Sequence, residues 1–493
     1  MQSRAYTVAF EGPQARLVEV QCAVAPGLPA FTIVGLANKA VSEARERVRA
    51  ALAAMSIALP PRRITINLAP AAMPKEGSHF DLPIALALLA ATGVVPGDAL
   101  GGVLAIGELS LDGALVAVAG ALPAALAAAE RRLGFICPAA VGPEAAWVGD
   151  TSVHGPRTLL EAVHHLSGKT PLPAVRPAPP ATAETSPDMA DVRGQEGARR
   201  AIEIAAAGRH HILMVGAPGA GKSMLAARLP GLLPPMSPAE MLETTMLHSL
   251  AGLVAERGIT AARPFRAPHH SASVAALVGG GRRSAPGEIS LAHNGVLFLD
   301  ELPEFPRNVL ETLRQPMESG EVTVSRAEVR ATYPARFLCV AAANPCRCGH
   351  LFDPGRACAR APGCGADYLG RISGPLMDRF DIRLEVPPVD IETLDATPGG
   401  EDSATIAARV SAARAVQSAR LGPARTNADL QGNALREAAE PDAEGRDLVR
   451  RFAERFGLSA RGHARILRVA RTIADLAGED RVRAPHVAEA LGY

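Results

Sequence analysis

Aromatic residues are scarce: Phe, Trp and Tyr make up 3% of the 493 residues, with a single Trp. A core built with so few rings has to be aliphatic, and the abundance of Ala points to helices in close contact. The same scarcity leaves no interleaved rings on which the bases of a single strand could stack. An excess of either charge is also missing. Lys and Arg number 51 against 50 Asp and Glu, a formal net charge of +1. That excludes a globally basic nucleic-acid binder, so any polyanion contact has to come from a local patch. Cysteines are few, seven in all, and four crowd between Cys346 and Cys364. This is not the spread, even framework of a secreted disulfide protein. No run supplies the roughly 20 strongly apolar residues of a membrane span. The nearest, Ala114 to Ala129, is mostly Ala and is broken by Gly120 and Pro123. Met1 to Val20 carries no apolar core followed by a cleavage site. The expectation is a cytoplasmic chain without membrane contact.

The length suggests about two to four domains. The clearest break is the Pro, Ala and Thr-rich stretch from Thr170 to Pro187, a semi-extended linker composition. Before it, Arg63 to Leu68 alternates as a half-buried strand does. Leu82 to Ala91 reads as a buried helix, and Val103 to Ile106 as a short strand followed by the turn signal Asp112-Gly113. From Asp191 to about Asp390, apolar strand-like runs alternate with helical patterns, which argues for a parallel α/β sheet. Thr397 to Asp402 is a weaker break. Beyond it, Ala404 to Leu421 and Asp442 to Leu491 read as helices. The expected units are 1–169, a linker 170–188, an α/β unit 189–395 and a helical unit 396–493.

Gly216-Ala217-Pro218-Gly219-Ala220-Gly221-Lys222-Ser223 fits the phosphate-binding loop pattern. An apolar strand, His211 to Val215, leads in, and a helical run, Met224 to Leu229, leads out. Glycines let the backbone wrap phosphate oxygens, and the helix start offers unpaired N–H groups. Lys222 would reach the outer phosphates of ATP and Ser223 would ligate Mg²⁺. Val296-Leu297-Phe298-Leu299 reads as a fully buried strand with Asp300 and Glu301 at its carboxyl end, where open α/β sheets bind ligands. Asp300 would hold Mg²⁺ through water and Glu301 would polarise the attacking water. A third strand, Phe337 to Ala343, ends in Asn344, an amide suited to sensing the terminal phosphate.

These three strand ends, in this order, resemble the AAA+ ATPases. Pro264 to Ser271, Gly287 to Gly295 and Ser373 to Asp381 look like the magnesium-chelatase-related branch, and nearly the whole chain resembles the YifB/ComM-like family of bacteria. The resemblance implies a homo-hexameric ring with ATP between subunits. It makes Asn344 the sensor-1 residue, Arg379 the arginine finger aimed at the neighbour's γ-phosphate, and Arg461 the sensor-2 arginine, with Arg465 one helical turn later as the competing choice. Pro74-Lys75-Glu76-Gly77, Gly107 to Ser110 and Gly120 to Pro123 look like the Lon-protease fold. That peptidase needs a Ser activated by a Lys. The lysine position is Pro123, and Ser78 lies outside the expected setting. The first unit is therefore expected to be a non-peptidolytic Lon-like α+β domain used for docking or substrate handling.

Cys346, Cys348, Cys358 and Cys364 could close a tetrahedral structural Zn²⁺ site, with His350 as a substitute ligand. A Gly-rich loop with free thiols is the other reading. For nucleic acid, Arg326 and Arg330 fall in a hairpin which in the resembling family often faces the ring pore. His269, His270, Arg282 and Arg283 sit in a Gly-rich insert able to track a phosphate backbone. The function expected on this resemblance is an ATP-driven DNA motor, a helicase or branch-migration factor working on single-stranded or branched DNA. The alternative is a chelatase-like or chaperone-type remodeller of proteins.

Overall fold

The structure is a computed structural model and describes residues 1–181, 186–254, 258–280, 285–325, 330–351, 355–357, 359–390, 392–393 and 400–493. Its first strands, Gln2–Glu11 and Gln14–Ala25, form a long antiparallel hairpin in which Glu11 pairs with Gln14. Two residues make the turn, and Gly12 supplies the left-handed backbone (φ 60°) that such a tight reversal needs. This hairpin is the centre of a seven-stranded sheet. Ala30–Val34, Arg63–Ala69 and Gln14–Ala25 lie to one side of Gln2–Glu11; Val103–Ala105, Gly134–Ile136 and Val153–His154 lie to the other.

The helix Asp81–Ala91 is buried almost throughout, its Leu82, Ile84, Leu86 and Leu88 all sealed from solvent. A helix apolar on every face has no solvent side to offer, so it sits inside the core against the hairpin. A second helix, Ala121–Glu130, covers the opposite side with small Ala residues.

The second sheet has five strands in the order Phe265–Arg266, Val296–Leu299, Leu338–Ala343, Ile212–Gly216 and Ile382–Val386, all parallel. Parallel sheets are covered on both faces, which is why Val296–Leu299 and Leu338–Ala343 read as unbroken apolar runs. Helices Glu196–Gly208 and Lys222–Leu232 cover one face together with the helical C-terminal region. The other face packs on a separate cluster that includes Leu277, Phe305, Leu310 and Phe380.

The C-terminal region consists of Ser403–Leu421, Gly432–Ala439, Ala443–Phe456, Ala460–Leu476 and Ala484–Ala490. Asp402, Asp442 and Ser459 cap three of these helices by accepting from backbone N–H groups in the first turn. No helix among the described residues is long and apolar enough to cross a membrane.

Polar contacts join the first sheet's region to the second. Gly120 N donates to Ser249 O at 2.9 Å, and Leu122 N donates to Ser249 Oγ at 3.4 Å. Burial pushes the Glu144 carboxyl up in pKa, partly countered by its hydrogen bonds with Ser249 and Leu122 N.

Candidate nucleotide site

The strand Ile212–Gly216 ends where the chain must reverse into the helix Lys222–Leu232. Gly216 is required by close packing: a Cβ there would lie 2.3 Å from Val386 O on the adjacent strand. Gly219 (φ 79°) and Gly221 (φ 88°) take the left-handed backbone that lets the loop curl. Gln195 braces the curl from outside. Its Nε2 donates to Ala220 O at 3.2 Å and to Pro387 O at 2.5 Å. Nothing in the sequence motifs pointed to Gln195, which stands outside the loop pattern.

Lys222 is 7% exposed and points into its own loop. Its Nζ donates to Gly216 O (2.7 Å), Ala217 O (2.9 Å) and Asn344 Oδ1 (3.2 Å). Burial lowers its pKa, and the negative charges of Asp300 and Glu301 oppose that shift. Ser223 Oγ donates to Asp300 Oδ2 at 2.8 Å. The Glu301 N–H donates to Asp300 Oδ1 at 2.9 Å, and Glu301 itself adopts a left-handed backbone, φ 51°. Asp300 is thus held from both sides. The Glu301 side chain is about half exposed, with Oε2 3.3 Å from His270 Nδ1. The His270 ring packs on His269 with centroids 4.0 Å apart and meets Phe305 edge-on. The sequence placed His270 in a nucleic-acid-facing insert; the structure brings it to Glu301.

Strand register explains the convergence. Val296–Leu299 pairs with Leu338–Ala341, and Val340–Ala343 pairs with Ile212–Val215. The phosphate loop, Asp300, Glu301 and Asn344 therefore emerge together at the carboxyl end of the sheet. An amine, a hydroxyl, two carboxylates and an amide around a glycine loop suit a metal-bound triphosphate. The buried Lys222 amine, now bonded to loop carbonyls, has the charge and place to serve phosphate oxygens. Ser223 and Asp300 offer oxygen donors of the kind a Mg²⁺ ion prefers, directly or through water.

Arg379 and Arg461 lie elsewhere. Ile382 pairs with Ile212, so Arg379 stands at the amino end of the sheet, a strand length of roughly 13 Å from the phosphate loop. Its guanidinium pairs with Glu318. Arg461 lines the same cavity of about 700 Å³ as Arg379, along with Arg209, Arg336, Arg425 and Arg468. Arg465 feels the charges of Asp381 and Asp378, which line the same cavity.

The zinc site expected from the cysteines is not supported. Among the described residues no three His, Cys, Asp or Glu side chains gather to hold a metal. Cys346 is buried with its Sγ 3.0 Å from Cys348 Sγ; Cys364 is half-buried, and Cys358 lies outside the described residues. Gly349 packs on the phosphate loop: a Cβ there would fall 2.5 Å from Pro218 Cδ.

The hairpin Glu321–Ser325 with Arg330–Pro334 forms as expected. Val322, Val324, Ala331 and Tyr333 bury one of its faces. Its Thr332 carbonyl would lie 3.0 Å from a Cβ at Gly12, in the turn of the first hairpin. Arg326, Arg282 and Arg283 lie outside the described residues, as does the side chain of Arg330. In the first region, Ser78 Oγ donates to the Glu108 carboxylate. The fully buried Lys75 donates to Pro70 O, and Pro123 sits in the helix Ala121–Glu130. The arrangement contains no Ser–Lys pair among the described residues.

Comparison with known proteins matches three family descriptions in register with this layout. "Magnesium chelatase, subunit ChlI" covers residues 188–394, "Subunit ChlI of Mg-chelatase" covers 18–141, and its C-terminal counterpart covers 400–493. Competence protein ComM of Haemophilus influenzae is 44% identical over 494 residues, 99% of this chain and 96% of that protein. The chain belongs to the ComM/YifB branch of the magnesium-chelatase-like AAA+ family. The YifB protein of Escherichia coli is 42% identical over 490 residues, again 99% of this chain and 96% of that one. A magnesium-chelatase 38 kDa subunit of Cereibacter sphaeroides is 27% identical over 221 residues, 41% of this chain and 59% of that subunit. Family membership is consistent with an ATPase that uses ATP and Mg²⁺.

Proposed function

We propose that this protein is a ring-forming Mg²⁺-dependent ATPase, a homo-hexamer, that drives movement on DNA as a helicase or branch-migration factor in recombination or natural transformation. The observation that carries the ring is the separation of two half-sites on one sheet. Lys222, Ser223, Asp300, Glu301 and Asn344 stand at its carboxyl end; Arg379 and Arg461 stand at the other side. An arginine side chain cannot bridge a strand length, so these arginines serve the nucleotide of a neighbouring copy. Repetition of that contact head to tail closes a ring.

In this reading Lys222 would bind the outer phosphates, and Ser223 directly and Asp300 through water would hold Mg²⁺, which would neutralise phosphate charge. Glu301 would take the proton of the attacking water and Asn344 would sense the terminal phosphate. The neighbour's Arg379 stabilises charge developing in the transition state, an effect worth about 10³–10⁵ in rate. The units are 1–169, the linker 170–188, 189–395 and 396–493, with the first a non-peptidolytic Lon-like docking domain.

DNA as the track is favoured by near full-length similarity to a relative named a competence protein. Remodelling of a partner protein is the second reading, favoured by the chelatase descriptions that match all three parts of the chain. The test is ATP turnover with single-stranded, duplex and forked DNA at low salt, beside particle sizing with and without nucleotide. DNA-stimulated turnover that falls steeply with salt supports the motor. Turnover indifferent to DNA but raised by a partner protein supports the remodeller.

A further inference from the structure

Between the Arg379 segment and the helix that carries Arg461 lies a sealed polar cluster that the nucleotide chemistry does not use. Asp381, two residues after Arg379, is 7% exposed, and His210 and Thr472 are 0% exposed. His210 Nδ1 donates to Asp381 Oδ2 at 2.9 Å, and its Nε2 lies 2.7 Å from Thr472 Oγ1. Arg468, two turns after Arg461 on the helix Ala460–Leu476, reaches Asp381 Oδ1 at 3.3 Å. Thr472 Oγ1 accepts from Asn427 Nδ2 at 3.0 Å, and the same amide donates to Asp475 Oδ2 at 2.8 Å. Arg420 and Arg471 close the cluster around Asp475. The fit leaves no slack, because a Cβ on Gly208 would meet His210 Nε2 at 2.1 Å and Thr472 Oγ1 at 2.6 Å.

We infer that His210, Asp381 and Thr472 are positioning residues which lock the Arg379 segment and the Arg461 helix into one unit, so that both arginines reach a neighbouring copy's nucleotide together. The inference rests on the trans reading above and adds to it the device that aims the two arginines. Apolar packing alone could hold this interface as firmly, since replacing buried ion pairs by well-packed apolar groups is often neutral or better. What directional hydrogen bonds add is a single register. A helix free to slide would carry Arg461 away from Arg379 while both regions stayed folded. Asp381 sits at the junction: His210, just before the strand Ile212–Gly216, holds one of its oxygens, and Arg468, from the helix Ala460–Leu476, holds the other.

The experiment uses full-length Asp381→Asn, Thr472→Val and Thr472→Ser, with Arg379→Ala and Lys222→Ala as references. Asp381→Asn and Thr472→Val should lower kcat about tenfold or more, because misplacing a catalytic group by about 1 Å costs up to about a hundredfold. KM for ATP should stay within about twofold, because each variant's own phosphate loop is intact. Thr472→Ser keeps the hydroxyl and should restore turnover. The decisive readout is mixing. Lys222→Ala copies have a dead nucleotide site but intact arginines. Added to Asp381→Asn or Thr472→Val copies, they should recover turnover, as they should for Arg379→Ala. A merely structural defect in the variant's own site would not recover. If Arg379→Ala is rescued but Asp381→Asn and Thr472→Val are not, or if both keep wild-type kcat, the positioning role is refuted and the trans reading stands. If Arg379→Ala itself is not rescued, the trans reading fails and the inference falls with it.

Discussion

Exchanging Glu301 for Gln replaces one carboxylate oxygen by an amide nitrogen and leaves the shape of the site intact. Asp300 keeps its bonds from Ser223 Oγ and the Glu301 N–H, so the proposed metal ligands are undisturbed. The Gln oxygen can still accept from His270, which lies 3.3 Å from the native carboxylate. What disappears is the proposed base. Losing a positioned general base costs about 10²–10⁴ in rate, which at about 1.4 kcal/mol per decade is roughly 3–6 kcal/mol on the barrier. Removing a negative charge beside a triphosphate lowers repulsion, and because the side chain is half exposed, solvent screens most of that gain. ATP affinity should therefore hold or rise a few-fold while turnover collapses. Titration with a fluorescent ATP analogue and a phosphate-release assay on one preparation read the two effects separately. Turnover above about a tenth of wild type, or loss of ATP binding, would refute Glu301 as the base.

Three further outcomes follow from the geometry. Lys222→Ala removes the buried amine that bonds Gly216 O, Ala217 O and Asn344; ATP binding by the same titration should weaken at least about tenfold, the scale of losing one or two charge-assisted hydrogen bonds. Gly216→Ala forces a methyl to 2.3 Å from Val386 O, and overpacking of this kind should lower stability by about 1–3 kcal/mol, visible as a lower urea midpoint. Asp381 supplies a pH test. Burial raises its pKa, but Arg468 and the hydrogen bond from His210 outweigh burial and hold the carboxyl well below the usual range. A depressed folded-state value stabilises above the unfolded pKa, near 3.9, and that contribution is lost as pH falls through the folded value. The urea-midpoint gap between wild type and Asp381→Asn should be full at pH 7 and shrink below about pH 4; a gap constant down to pH 2 would contradict the ion pair.

The phosphate loop and the Asp300–Glu301 strand end were legible because their chemistry dictates residue types at fixed spacing. Val296–Leu299 was legible because a parallel strand covered on both faces needs no polar alternation. The opening hairpin was not. Ala5 and Ala9 of its first strand pack on one side of the sheet and Val8 on the other. Burial on both faces erases the period-two signal that marks a strand. Contacts set by strand order were equally hidden. His270 reaches Glu301 only because Phe265–Arg266 pairs with Val296–Leu297. Arg379 and Arg461, far apart in the chain, share a cavity only because the helix Ala460–Leu476 docks at the amino end of the sheet. The cysteine spacing left two readings open, and among the described residues no metal cluster supports the zinc one.

The left-handed turn at Glu301 has a consequence for how this chain can change over time. A glutamate there holds a backbone shape that glycine adopts freely and that costs other residues on the order of 1 kcal/mol or more. Glycine at this place would ease the fold and silence the chemistry at once. Sturdiness and turnover therefore pull in opposite directions on one residue.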